Sequence, residues 1–553
     1  MRIVVLLVIA ACGPSPKDRS DAAVEIDAAA ACSCSVDGAS VLDCDGNTVA
    51  ACDGVTACDP ATLACTNACA IAETSRRSIG CDYYATSMDI FEHGNCFAAF
   101  VVNSSRAPAH LEVKRAGATL DVAAFTRLPV GSGPALTYDP YDAAGGLAPG
   151  QVAVMFLGGG NGAAPLCPVA SAAAVASFVG TGIGESFEIA SDVPVVAYQI
   201  NPYGGGASDV AAASLLLPTS VWDTSYIAVD VAPAGDANFS PSLNIVARED
   251  GTIATLVPKV AVVGGNGIPA GAANVPLSIT LAKGQHAQIT QLAELTGSVL
   301  TANKPIGFMA GQPCFNMPLA ESFCDHGEQM LPPVRALGSR YVGVMYRPRV
   351  PAETKTFWRV VGAVDGTQLT YSTAVGGPAT LARGEAVLFE TGTPFVVTSQ
   401  DAAHPFMLFT YMTGSTHVAS GFGDPDFVVS VPPEQYLDHY VFFADPTYPE
   451  TNLVVVRSRG TDGQFHDVSL DCAGVLGGWT AVGDFEFTRA DLITGDFVNV
   501  GTCSTGRREI TSTAPFGLWV WGWGTPNTST LTRNVSYGYP GGMDVKPINN
   551  VIL

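Results

Sequence analysis

The segment "CDHGE", residues 324–328, sets Asp325, His326 and Glu328 beside a cysteine. Two carboxylates and an imidazole are a donor set that could hold a divalent ion. The same short polar side chains could instead satisfy backbone groups at a joint between larger elements. Two carboxylate pairs, Asp139 with Asp142 in "YDPYDAAG" and Asp424 with Asp426 in "GFGDPDF", read as solvated turn residues at loop tips. Glycoside hydrolysis would need such groups to face each other across a cleft. In "LWVWGWG", Trp519, Trp521 and Trp523 alternate, so an extended strand turns all three to one side. Trp519 matches the apolar positions Tyr198, Met309 and Phe409 and is expected in the core. Trp523 lies beyond the shared strand and is the candidate ligand-contacting residue. The chain has no H-E-x-x-H, no G-x-S-x-G and no phosphate loop. The glycine-rich "FLGGGNGAAP" lacks the Lys-Ser or Lys-Thr that would open a phosphate-binding helix, and reads as a surface loop. The chain is therefore read as a non-enzyme, with no cofactor expected.

Any such residues must be positioned by the elements around them, and these follow a recurring pattern. "FEIASDVPVVAYQI", "VLTANKPIGFMAG", "VVTSQDAAHPFMLFTYM" and "REITSTAPFGLWVWGWG" each carry an apolar run, a polar corner, a proline and a second apolar run. The prolines are Pro194, Pro305, Pro405 and Pro515, at intervals of 111, 100 and 110 residues. Proline fixes φ and donates no hydrogen bond, so it opens a strand rather than continuing one. Turn glycines keep the same order: Gly117, Gly251, Gly366 and Gly463 early in each unit, and Gly150, Gly284 and Gly384 later in the first three. Three of the early ones follow aspartate between β-rich runs, a hairpin signal because glycine supplies positive φ. Joints run from proline to a tyrosine that opens a strand, at Tyr226, Tyr341 and Tyr440, with Tyr84 expected as the first member.

These markers divide the chain into β repeats at 81–217, 218–331, 332–431 and 432–545. The first is the longest and holds an extra Gly/Ala-rich stretch from Pro165 to Gly184. Six or seven short strands per unit, with almost no helical periodicity, predict an all-β chain of tandem Ig-like β-sandwiches. Enlarged propeller-like blades are the alternative, since a blade needs only four strands.

The N-terminus begins with a basic residue and a short apolar run, which fits a signal peptide over 1–11. That run is too short to span a bilayer. "VIAAC" resembles the bacterial lipobox, which makes Cys12 the lipidated first residue of a mature chain and residues 12–31 a flexible tether. Setting Cys12 aside leaves 14 of the 15 cysteines, an even number suited to disulfides in an oxidising compartment. A cluster from Cys32 onward predicts a small disulfide-rich module over 32–80. Further on, Cys314 with Cys324 and Cys472 with Cys503 are candidate pairs. Cys96 with Cys167 is a third, unless Cys81 takes the place of Cys96. The net charge of −23, from 27 basic and 50 acidic residues, argues against nucleic acid as a partner.

The run "CFNMPLAESFCDHGEQMLPPVRALGSRYVGV", the recurring "ANKPIGFMAG" type of strand and the ending "VSYGYPGGM" resemble the N-terminal region of the IgG Fc-binding protein family, which has bacterial lipoprotein relatives. The resemblance covers roughly residues 81–545 and implies an extracellular, β-rich binding region. It does not imply antibody binding. The leading expectation is a surface-anchored lipoprotein of the bacterial outer membrane or cell surface. Its β-repeats would present a surface for adhesion or for an extracellular protein or glycan ligand. A secreted hydrolase or carbohydrate-processing accessory protein, working through loop carboxylates, is the alternative.

Overall fold

The computed structural model describes residues 31–553, apart from 36–37, 92, 161–164, 205–209, 236, 420 and 529–531. Cys12, the signal peptide and nearly all of the tether lie outside the described residues. The chain forms two compact units: a small one ending at Cys65, from which residues 53–57 are excluded, and a large one of residues 53–57 and 66–553.

The small unit is a three-stranded antiparallel sheet of Ala31–Cys34, Ser40–Asp43 and Thr48–Ala51. Its core is little more than Val41, Cys52 and Cys58. So small a core cannot offset the entropy of ordering the chain, and cross-links take over that role. Cys32–Cys44, Cys34–Cys58 and Cys52–Cys65 supply them.

The large unit is almost entirely antiparallel β-structure, with one eight-residue helix at Ala68–Ser75. Its strands group into successive stretches of chain, each built around one pivotal strand or strand pair. The pivots are Phe187–Asn201, Val299–Phe315, the pair Phe395–Ser399 and Phe406–Met412, and Gly506–Trp523. Each pivot changes partners along its length. In the first, Phe187–Ser191 pairs with Leu111–Arg115, whereas Val195 to Ile200 pairs with Phe97–Asn103. In the second, the early half lies against Thr252–Val257 and the late half against Ser242–Ala247. One strand therefore serves both layers, with Pro194, Pro305, Pro405 and Pro515 marking the passage between them. Proline suits that corner because the ladder is interrupted there and no N–H is left stranded.

A tyrosine hydroxyl closes each corner. Tyr83, Tyr226 and Tyr341 donate to the carbonyls of Val195, Ile306 and Phe406 at 2.6, 2.7 and 2.7 Å, and Tyr440 donates to Phe516. Each acceptor is the residue directly after the proline. In three corners the same hydroxyl accepts a backbone N–H from three residues upstream: Asp223, Gly338 and Leu437. The first member is thus Tyr83 and not the expected Tyr84. Adjacent strand residues point to opposite faces, and Tyr84 turns away to meet Trp222, with ring centroids 5.5 Å apart.

Four disulfides lie in the large unit: Cys69–Cys81, Cys96–Cys167, Cys314–Cys324 and Cys472–Cys503. Cys81 therefore pairs with Cys69 and leaves Cys96 to Cys167. The beginning and end of the unit are stitched together. Ser78 N–H donates to the Met543 carbonyl at 2.8 Å, Met543 N–H returns to Ser78 Oγ at 3.0 Å, and Arg77 pairs with Asp544 at 3.3 Å.

Tyr341→Phe strands a buried carbonyl and a buried N–H at once, so it is expected to cost about 1–3 kcal/mol. A lowered thermal transition of the purified chain checks this; an unchanged transition would show that the hydroxyl does not hold the corner.

Candidate functional site

After each corner the pivotal strand pairs with a short closing strand. The four are Ala212–Leu215, Asp325–Met330, Asp426–Val429 and Ser536–Pro540, and all are buried along their whole length. Each touches the next, and the last touches the first, so they form a closed hub. Polar side chains link them. Ser214 Oγ accepts the Met330 N–H at 2.8 Å, and Gln329 Nε2 donates to the carbonyls of Ala213 and Gly538 at 2.8 and 3.0 Å. Ser536 Oγ accepts the Asp424 N–H at 3.0 Å.

This hub is where the residues singled out in the sequence converge. Asp325, His326, Glu328, Asp424 and Asp426 are fully buried. The expectation that Asp424 and Asp426 are solvated loop-tip residues is wrong: their loop leads into the closing strand Asp426–Val429, which lies in the hub and not in solvent. Asp139 and Asp142 are exposed as expected. The Asp325–His326–Glu328 set does not converge on a common point, because strand alternation turns Asp325 one way and His326 with Glu328 the other. Asp325 accepts the N–H groups of Ala211, of His326 at 2.9 Å and of Ser536 at 3.2 Å. Glu328 accepts Gln199 Nε2 at 2.7 Å, and His326 Nε2 lies 3.8 Å from the same carboxylate. Among the described residues, no three His, Cys, Asp or Glu side chains are placed to hold a metal ion.

Burial, more than neighbouring charge, shifts the carboxyl groups at and near the hub towards the protonated form. Burial, then the neighbouring Asp424 charge, raises Asp325 well above the usual carboxylate range. Burial raises Asp426 and Glu328 in the same direction. Asp445, which accepts the Thr447 N–H at 2.8 Å, is pushed up to about 6, again by burial. Tyr448 and Tyr537 pack edge to face at 4.6 Å, and the Tyr537 hydroxyl accepts the Asp445 N–H at 3.1 Å. Asp445 carries no sequence signal that would set it apart from an ordinary turn aspartate. What buries it is the distant closing strand.

The tryptophans do not form a platform. Trp519, Trp521 and Trp523 share one face, and that face is interior. Trp523 is only 1% exposed, which removes it as an open ligand contact. It packs near Tyr346, at 6.3 Å between ring centroids, and the Arg347 guanidinium covers it at 4.9 Å. The shared strand runs on through Trp523 instead of stopping short of it, and this is the physical reason for the difference.

An open site lies where the first two stretches meet. It is a groove of about 520 Å³ whose lining includes Lys114, Arg115, Glu185, Glu188, Asp250 and Lys283. Lys283 Nζ meets Glu188 at 2.9 Å, and the Arg115 guanidinium rests over the Phe187 ring at 4.8 Å. Arg115 Nε is buried without a hydrogen-bond acceptor, and desolvation lowers the group's pKa. The groove offers fixed charges of both signs and no nucleophile–base pair that is open to a substrate. Ser186 and His286, 3.4 Å apart at its base, are both buried, and burial lowers His286 to about 3. Such a surface can bind a polar partner.

Comparison with known proteins now bears on this arrangement. The family model described as IgGFc binding protein matches residues 212–522, a segment that holds all four closing strands except the last. The human IgGFc-binding protein is 26% identical over 317 residues, which is 56% of this chain and 6% of that protein. The chain thus spans a small fraction of that relative's length.

The buried carboxyls set a pH dependence whose sign is opposite to ordinary acid denaturation. Asp445 and Asp230 both rise from 3.8 to about 6 in the folded chain. Folding therefore takes up protons, and the stability this contributes is full below about pH 4 and is lost as pH rises through about 6. The melting temperature is expected to fall between pH 4 and pH 7. Asp445→Asn should remove its share of that slope, roughly 2–3 kcal/mol at most. A transition that rises over this window would contradict the assignment.

Proposed function

Given that the chain belongs to the IgGFc-binding protein family, we propose that it is an extracellular binding protein whose primary role is to hold a protein ligand. The observation that supports this most directly is the contrast between its two polar regions. The carboxyl and imidazole groups of Asp325, His326, Glu328, Asp424 and Asp426 are sealed in the hub, with Asp325 tied to backbone N–H groups. The open groove instead presents Lys114, Arg115 and Lys283 among carboxylates, a pattern suited to electrostatic complementarity with a partner. The seven disulfides among the described residues fit an oxidising compartment.

In the same reading the chain is a lipoprotein of the bacterial outer membrane or cell surface, held by an acyl group on Cys12, and it acts in adhesion. The "VIAAC" segment supports this, followed by a low-complexity tether that gives the folded units reach. A hydrolase working through loop carboxylates finds less support, since Asp424 and Asp426 are enclosed.

Two measurements test the reading. Immobilised IgG Fc and extracellular matrix extracts serve as baits for the chain without residues 1–30. Replacing Arg115 and Lys283 together by Ala should reduce capture at least tenfold with the melting temperature unchanged. Undiminished capture would remove the groove from the contact, and no capture by either bait would count against the binding role itself. Separately, Cys12→Ser should release the chain from membrane fractions.

A further inference from the structure

The extra stretch from Pro165 to Gly184 in the first repeat has no counterpart in the others, and neither the hub nor the groove accounts for it. Cys167 bonds to Cys96. The Pro165 carbonyl accepts the Cys96 N–H at 2.8 Å, and Ala172 and Ala173 donate to the Phe156 and Leu157 carbonyls. The stretch is thereby tied to Cys96 and to the strand Val152–Gly158. Across that contact Ser177 Oγ lies 3.0 Å from His93 Nδ1, and His93 Nε2 lies 3.1 Å from Asp89 Oδ1.

A carboxylate oxygen accepts, so in the tautomer whose Nε2–H donates to Asp89 the lone pair on Nδ1 faces the serine hydroxyl. Asp89 is itself held: its side chain is 7% exposed, its Oδ2 accepts the Gly180 N–H at 2.9 Å, and its own N–H donates to Gln288 Oε1 at 2.6 Å. Ser177 makes no other hydrogen bond among the described residues. Val175 and Val179, on either side of Ser177 in the chain, are 36% and 73% exposed, and Ser177 itself is half-buried. The apolar surface close to Ser177 and His93 in the chain is completed by Phe91, 37% exposed and two residues before His93.

We propose that Ser177, His93 and Asp89 form a nucleophilic site that hydrolyses carboxylic esters with a small apolar acyl group. Ser177 and His93 are the catalytic residues and Asp89 a positioning residue. Ser177 Oγ adds to the ester carbonyl carbon as its proton passes to His93 Nδ1. The bond to the alcohol oxygen breaks, that oxygen takes the proton from Nδ1, and the acyl group remains on Ser177. Water then adds to the acyl carbon with His93 again receiving the proton. Release of the carboxylic acid returns the proton to Ser177. The N–H groups of Phe178 and Val179 have no protein acceptor among the described residues and are the donors available to the developing oxyanion. The imidazole uses its two nitrogens in the order opposite to the familiar serine hydrolases, and proton transfer needs only that one nitrogen be held and the other face the hydroxyl.

The test uses the full chain, a fluorophosphonate probe and p-nitrophenyl acetate. The probe is expected to modify Ser177, identified by peptide mass. Ser177→Ala and His93→Gln are each expected to reduce ester turnover at least tenfold at an unchanged melting temperature. Asp89→Asn is expected to reduce kcat with KM unchanged, which a merely structural role would not produce. Labelling elsewhere, or equal turnover by the native chain and Ser177→Ala, would overturn the proposal. The binding role stands or falls separately, since Arg115 and Lys283 are not part of this site.

Discussion

The large unit depends on a long β-strand being able to leave one layer and enter the next without losing its backbone hydrogen bonds. A strand that simply bends strands its N–H and C=O groups, and each such buried group costs about as much as a mutation that cripples a small protein. Here the proline removes the donor and the tyrosine hydroxyl satisfies the acceptor. With that solution repeated at Val195, Ile306, Phe406 and Phe516, each pivotal strand delivers its second half to the centre.

What the centre then holds is unusual for a protein interior. Buried carboxylates without cationic partners are expensive, and proteins commonly avoid them or let them take up a proton. Burial shifts the hub carboxyls towards the protonated form, and buried backbone N–H groups also satisfy them, as Asp325 shows with three of them. Arg349 and Glu353, by contrast, form a fully buried pair at 2.6 Å whose guanidinium also reaches the carbonyls of Thr413 and Phe422. The two arrangements show both ways of hiding charge in one core. The hub couples it to strands from four parts of the chain.

The all-β character was legible because proline, glycine and tyrosine mark corners and turns by backbone chemistry that neighbouring residues reveal. The limits of that reading are local as well. Tyr84 in place of Tyr83 is a one-residue slip, which in a strand exchanges inside for outside. Asp424 and Asp426 look like any turn aspartates, since their burial comes from Ser536 and its neighbours more than a hundred residues away. Trp523 was misplaced for the opposite reason: the strand is longer than the shared pattern. Cys81 was left with two roles because spacing alone does not choose between partners, whereas the helix Ala68–Ser75 carries Cys69 to it. The contact of His93 with Ser177 joins segments 84 residues apart and leaves no periodic trace.

The order in which the hub is assembled carries a consequence for biosynthesis. Ser536–Pro540 leaves the ribosome after the other three closing strands, and Met543 is what ties back to Ser78. Until that tail arrives, a nascent chain has an acidic, edge-exposed opening where its centre should be. A chain ending before Ser536 would leave the circle of closing strands open at that point.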